Sequence, residues 1–203
     1  PRRDGIEVLR ERGTISRSGC AALRAAVDAE RSTKRDSVDD LAEHQLDCSR
    51  ERLVELLGWK EAQRVFTLPD RLLSKRSDAA AARAAARARA MARAADAADA
   101  ADMDASSDSC DESAGDGGYH VDMFIRRYTR DTRPWINFHC DVSTMTANIA
   151  LNDDDEFGGG RLLAILDGRL QVISRREGEA TVHDKHVYHG VSEMRSGVRY
   201  TLI

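Results

Sequence analysis

His139-Cys140-Asp141 sets an imidazole and a carboxylate two positions apart. On a β-strand, positions i and i+2 share a face, so one metal ion could touch both side chains. Two histidines and one carboxylate on one face of an octahedron leave three positions open, a donor set suited to iron(II) and O2 chemistry. The third donor has to come from another element. His189, in Val187-Tyr188-His189-Gly190-Val191, is the first candidate, with His183 and His186 as rivals. Cys140 is expected to point to the opposite strand face and pack in the core, which makes a zinc site built on it a poor reading.

The elements that would position these residues fall in three regions of different composition. Residues 1–75 are mixed in composition. Ser16-Arg17-Ser18-Gly19 before an Ala/Leu run predicts a helix over 18–31. Ser49 opens another from Arg50 to Leu57, with Gly58 as its stop. Ile6-Glu7-Val8-Leu9 reads as a short strand. Residues 76–118 are low in complexity. An Ala/Arg helix is predicted from Ala79 to Ala101, then a flexible linker of Asp, Ser and Gly from Asp104 to Gly118. Residues 119–203 alternate like strands, at 121–126, 144–151, 161–166, 170–174, 180–183 and 198–203, with a turn at Asp167-Gly168. Short strands at such spacing predict an all-β sandwich or barrel.

Five stretches then agree in order: Phe124-Ile125-Arg126-Arg127-Tyr128, Phe138-His139-Cys140-Asp141, Phe157-Gly158-Gly159-Gly160-Arg161-Leu162, His189-Gly190-Val191, and Gly197-Val198-Arg199-Tyr200-Thr201-Leu202. With them, residues 119–203 resemble the catalytic core of the prolyl 4-hydroxylase-like 2-oxoglutarate/iron(II) oxygenases. That family's pattern is H-x-D, a second His, and a basic residue about ten positions later. Arg199 stands at that offset from His189, which under the resemblance selects His189 over His183 and His186. The resemblance implies a mainly β chain with flanking helices around a double-stranded β-helix (jelly-roll) core. It implies Fe(II) on His139, Asp141 and His189, and Arg199 on the distal carboxylate of 2-oxoglutarate. Tyr128 would hydrogen-bond the same carboxylate, and Thr146 and Asn148 would line the pocket. O2 is the implied co-substrate and ascorbate the implied reductant. The implied reaction is hydroxylation of an unactivated C–H bond, with a prolyl residue of a protein as the first substrate class and a small molecule as the other. Related halogenating enzymes lack the carboxylate ligand, so Asp141 argues for hydroxylation. His183 departs from the family, which usually carries an aromatic or aliphatic residue there, and the 76–118 insertion separates the N-terminal helices from the core.

Composition narrows the alternatives. Net charge is −4, with 33% charged residues, and no run of 18 apolar residues exists. Neither nucleic acid nor a membrane segment is expected. Arg83, Arg87, Arg89 and Arg93 read as a solvated, alanine-padded face rather than a nucleic-acid contact. The four cysteines form no C-x-x-C pair, and an intracellular, cytoplasmic chain is expected. The sequence opens on Pro1, so an upstream segment with any targeting peptide is expected. The alternative to an enzyme is a catalytically silent jelly-roll metal-binding or sensor module. The intact triad and Arg199 argue against it.

Overall fold

Two serines open helices where the sequence predicts them. Ser16 accepts the Gly19 amide at 3.1 Å and starts α1 (Arg17–Ala29). Ser49 accepts the Arg52 amide at 3.1 Å and starts α2 (Arg50–Leu57). Each hydroxyl satisfies an amide that a helix N-terminus leaves without an intrahelical partner. Gly58 ends α2 at φ +77°, ψ 155°, a conformation reserved for glycine. α3 (Trp59–Phe66) follows directly.

The computed structural model describes residues 8–30, 33–36, 38–39, 42–75, 85–86 and 120–203. They fall in two compact units, Pro1–Leu72 with Asp122–Ile203, and Leu73–Val121. In the second unit residues 73–75 and 85–86 are helical. The predicted 104–118 linker and the rest of the predicted Ala/Arg helix lie outside the described residues. Among the described residues no helix is long and apolar enough to cross a membrane.

The first unit supplies β1 (Leu9–Glu11), β2 (Thr33–Arg35) and β3 (Ala42–Asp47) before the insertion. After it come β4 (Phe124–Tyr128), β5 (Ile136–His139), β6 (Met145–Ala150), β7 (Gly158–Gly159), β8 (Leu162–Leu166), β9 (Arg169–Ile173), β10 (Ala180–Asp184), β11 (Tyr188–Val191), β12 (Met194–Ser196) and β13 (Arg199–Leu202). Of the strand expected at 6–9, Leu9 lies in β1 and Val8 does not, and β1 pairs with β10, Leu9 against Val182 and Glu11 against Ala180. Residues 6 and 7 lie outside the described residues. At Asp167-Gly168 the φ values are +51° and +71°, the left-handed pair of a type I′ turn, which joins β8 to β9.

One sheet has seven strands in the order β1-β10-β6-β13-β4-β3-β2, another four in the order β5-β11-β8-β9, and β12 pairs with β7. The two larger sheets are the walls of the jelly roll that the resemblance implies. Alternation divides the seven-stranded sheet cleanly. Leu46, Ile125, Ile149, Val182 and Leu202 face outward and pack with Leu23 and Val27 of α1 and Leu53 of α2. The inner face carries Arg126 and Tyr128 of β4, Thr146 and Asn148 of β6, Thr181 and His183 of β10, and Arg199 and Thr201 of β13. Register confirms the grouping: Arg199 opposes Tyr128, Thr201 opposes Arg126, His183 opposes Thr146, and Thr181 opposes Asn148. Residues directly opposite each other in a ladder share a face. Tyr128 also joins Ile136, Phe157, Val191 and Met194 in an apolar cluster that ties the two walls together.

Candidate metal centre

β5 and β11 are neighbours in the four-stranded sheet, and their register puts His139 opposite His189. The ring centroids are 4.5 Å apart. The Nδ1 of His139 meets the Asn137 carbonyl at 2.8 Å, and the Nδ1 of His189 meets the Val187 carbonyl at 3.0 Å. A carbonyl oxygen only accepts, so in the neutral rings each Nδ1 carries the hydrogen and each Nε2 keeps its lone pair for a metal. Such an outer hydrogen bond fixes the orientation and tautomer of a ligating imidazole.

Asp141 completes the group. Its Oδ1 is 3.4 Å from His139 Nε2, and its Oδ2 is 3.8 Å from the Nε2 atoms of both His189 and His183. The donor atoms of His139, Asp141 and His189 all lie within 4.8 Å of one another, so these three could hold one metal ion. Two expectations about this tripeptide need correction. β5 ends at His139, so Asp141 is beyond the strand, and alternation is not what aims it. The chain bends over 142–144, and Thr146 Oγ1 donates to Asp141 Oδ2 at 2.5 Å, which draws the carboxylate in beside His139. Cys140 is exposed rather than packed in the core, and it stands past the end of β5, where strand alternation no longer applies.

The electrostatics suit a metal. Burial opposes ionisation of Asp141, but hydrogen bonds from His139 and Thr146 and the neighbouring His189 and His183 outweigh it and hold the carboxyl far below its usual range. Burial also opposes the charged form of His139, yet its hydrogen bond to Asp141 keeps it above the usual imidazole value. Burial, followed by the charge of His183, lowers His189. Two expected outcomes follow. Thr146→Val keeps the shape but removes the hydroxyl that holds Asp141, and should weaken metal binding by roughly tenfold in a direct titration. His183→Ala should retain the metal. His183 sits 4.4 Å from the His189 ring with its Nδ1 at the Asp184 carbonyl, and it stands outside the three-donor group. Loss of the ion in that variant would demote His189 as a ligand.

On the inner face of the seven-stranded sheet, which also carries His183 and Thr146, lies a cation. Arg199 is 0% exposed and its guanidinium carbon stands 4.4 Å above the Tyr128 ring, itself 1% exposed. Among the described residues, Nε, Nη1 and Nη2 of Arg199 have no hydrogen-bond partner. An uncompensated buried ion costs on the order of several kcal/mol, so this cradle fits an anionic ligand, and a guanidinium fork matches a carboxylate best. β6 relates the two ends. Thr146 holds Asp141, and Asn148, two residues along, reaches Thr201 on Arg199's own strand, where Thr201 Oγ1 donates to Asn148 Oδ1 at 2.5 Å.

Solved structures share this arrangement of walls. A viral collagen prolyl hydroxylase from Paramecium Bursaria Chlorella virus-1, in complex with 2-oxoglutarate, superposes with a TM-score of 0.57 over 98% of this chain and 94% of that one, at 14% identity. A Pseudomonas putida prolyl-4-hydroxylase gives 0.55 over 97% and 90%, at 15% identity. The chain has the fold of the 2-oxoglutarate/iron(II) oxygenases. Another protein with this oxygenase fold, HygX from Streptomyces hygroscopicus with nickel and 2-oxoglutarate bound, gives 0.55 over 98% and 82%, at 11% identity. In sequence, 97 residues are 37% identical to the multifunctional procollagen lysine hydroxylase and glycosyltransferase of Rattus norvegicus. That match takes in 42% of this chain and 13% of the relative, so the chain spans about an eighth of that protein's length. No family model matches the chain.

Within this oxygenase fold, Thr146 and Asn148 have both been placed by their hydrogen bonds: Thr146 on Asp141, and Asn148 Oδ1 between Thr201 and the Nη1 of Arg175 at 2.6 Å. Arg175 and Asp154 carried no sequence signal, and Thr201 stood in the Gly197–Leu202 stretch with no role assigned to it. Arg175 stands in Ser174-Arg175-Arg176-Glu177, which reads as an exposed turn, and only the inward course of the β9–β10 loop brings it to the site.

Proposed function

We propose that this chain is an iron(II)- and 2-oxoglutarate-dependent dioxygenase that hydroxylates an unactivated C–H bond. The observation that carries the reading is a His/Asp/His donor group, with both histidines on the four-stranded sheet, together with the fully buried guanidinium of Arg199 on the inner face of the seven-stranded sheet, without a hydrogen-bond partner among the described residues. His139, Asp141 and His189 would hold iron(II), and Arg199 would hold the distal carboxylate of 2-oxoglutarate. When bound, the metal and co-substrate supply O2 activation by oxidative decarboxylation, giving succinate and CO2 as hydroxyl is delivered to the substrate. The chain's residues supply the setting. Asp141 contributes the single negative charge of the donor group, and the carbonyls of Asn137 and Val187 hold two neutral imidazoles to it. The Tyr128 face cushions Arg199, and the cluster of Ile136, Phe157, Val191 and Met194 keeps water from the region where the walls meet.

A prolyl residue in a protein is the leading substrate class, with a small molecule as the other. A lysyl residue is a second reading, favoured by the 97-residue stretch shared with the rat procollagen lysine hydroxylase. The test is succinate formation from 2-oxoglutarate with iron(II), ascorbate and O2, alone and with proline-containing or lysine-containing peptides, comparing wild type with Asp141→Ala. Slow uncoupled turnover lost in the variant supports the enzyme class, and stimulation by one peptide selects the substrate class. Absence of turnover with every peptide, together with failure to bind iron(II) and 2-oxoglutarate anaerobically, defeats the reading. Binding without turnover favours the silent module.

A further inference from the structure

Arg199 does not sit alone. Arg175 is 2% exposed, in the loop after β9. Its Nη1 donates to Asn148 Oδ1 at 2.6 Å, and that same oxygen accepts Thr201 Oγ1 at 2.5 Å. Thr201 lies two residues beyond Arg199 on the same face of β13, so one amide oxygen couples Arg175 to the strand of Arg199. The loop is fixed. The Arg175 amide donates to Asp154 Oδ2 at 3.0 Å, the Asp154 amide returns to the Arg175 carbonyl at 3.3 Å, and downstream the Thr14 amide donates to the Gly178 carbonyl at 2.8 Å.

The charges around it do not cancel. Asp154 is the carboxylate paired with Arg175, and only loosely, with Oδ1 3.8 Å from Nη2. Asp154 also faces Arg161, whose Nη1 is 3.7 Å from Oδ2. Arg175 Nε has no hydrogen-bond partner among the described residues. Arg175 thus shares one carboxylate with the partly exposed Arg161, Glu179 is taken up by Arg10, and Arg199 has no hydrogen-bond partner among the described residues, so this end of the wall keeps an excess of positive charge.

On the proposed reading of the site, we infer that Arg175 is a second determinant of co-substrate selection, a positioning residue that holds Asn148 and Thr201 beside Arg199 and adds the positive charge by which a dicarboxylate is preferred to a monocarboxylate. Burial, and after it the charge of Arg199, pull Arg175 down to about 9, as expected for two cations enclosed together. Arg175 stays charged at neutral pH, so its field acts on a ligand whose own anion sits on Arg199.

The test uses nickel(II)-loaded protein and two ligands, 2-oxoglutarate and its 5-methyl ester, which binds the metal through the same atoms but lacks the distal charge. The readout is the ratio of the two dissociation constants. Arg175→Gln, which keeps an amide donor for Asn148 but no charge, should lower the preference for the diacid by roughly tenfold with ester affinity within about twofold of wild type. Arg175→Lys should restore most of the preference. Equal weakening of both ligands, or a lysine variant as poor as the glutamine one, would mean that packing alone was lost and would overturn the inference. If Arg175→Gln does not fold, Asp154→Asn carries the test in the opposite sense. It relieves the partial neutralisation of Arg175 and should raise the preference, and an unchanged or lower ratio rejects the idea. A wild-type protein that binds the ester as tightly as 2-oxoglutarate defeats the assignment of Arg199 itself. A wild type that discriminates while Arg175→Gln discriminates equally well defeats only the role of Arg175.

Discussion

Asp141→Ala will abolish succinate formation and weaken iron(II) binding by more than the roughly 10- to 100-fold that losing a supporting hydrogen bond costs a metal site. The size of the effect follows from what would be left. His139 and His189 would face a dication with neutral rings alone, and the group's only anion would be gone. Asp141 is held ionised well below the usual carboxylate range, so the wild-type site presents that charge at any working pH. Asp141→Asn separates charge from shape, since it keeps an acceptor for Thr146 while removing the anion. It should lose most of the iron affinity, as read by anaerobic titration. An asparagine variant with wild-type affinity would mean that the ion is held elsewhere.

Arg199→Ala should show the opposite profile, with iron retained and 2-oxoglutarate lost. Truncating one partner of a buried charge pair costs about 2–5 kcal/mol, which corresponds to a rise of roughly 30-fold to several thousandfold in the concentration of 2-oxoglutarate required. Loss of iron in this variant would break the assignment of Arg199 to the co-substrate. A second readout needs no activity. Arg199 is fully enclosed without a hydrogen-bond partner among the described residues, and it shares its surroundings with Arg175. Replacing an uncompensated buried ion by an apolar side chain of similar volume often stabilises a protein. Arg199→Met should therefore raise the melting temperature of the ligand-free chain while removing the protection that 2-oxoglutarate gives the wild type. A methionine variant that melts lower than wild type would show that the guanidinium is compensated by contacts within the fold.

Much of this arrangement is legible in the residues. The H-x-D tripeptide, His189 and the basic residue ten positions on mark both ends of the proposed site, and Ser16, Ser49 and Gly58 mark helix ends by capping chemistry that is local. The strands of the core appear through alternation. Alternation tells which residues share a face, but not that a polar face is enclosed as well. In β10 and β13 both faces are buried: Ala180, Val182 and Leu202 pack in the core with the helices, and Thr181, Arg199 and Thr201 on the other face are all 0% exposed. Asp141 was read as a strand residue because its spacing fits one, whereas a turn and the Thr146 hydroxyl place it. Cys140 was misread for the same reason. β2 and β3 gave no signal, since their charged and polar residues suggest a surface. Gln45 and Glu43 turn inward only because they meet the buried Arg126 at 2.8 and 2.6 Å. Arg175 is the extreme case, where long-range folding of a loop decides everything and neighbouring residues decide nothing.

The position of β13 within its sheet governs when the chain can fold at all. β13 joins β6 on one side and β4 on the other, so the β1-β10-β6 and β4-β3-β2 halves meet only through Arg199–Leu202. A ribosome makes residues in order, and these come after every other strand of that sheet. Until they emerge, the halves have no shared ladder, the helices cover an incomplete surface, and nothing brings Arg199 to Tyr128. Such a chain waits for its last strand and then closes in one late step over long sequence separations, a topology that folds slowly and exposes unpaired edges meanwhile. A ribosome stalled short of Arg199 would hold a chain whose four-stranded wall, with His139 and His189, is complete in sequence while the opposite wall is still in two halves.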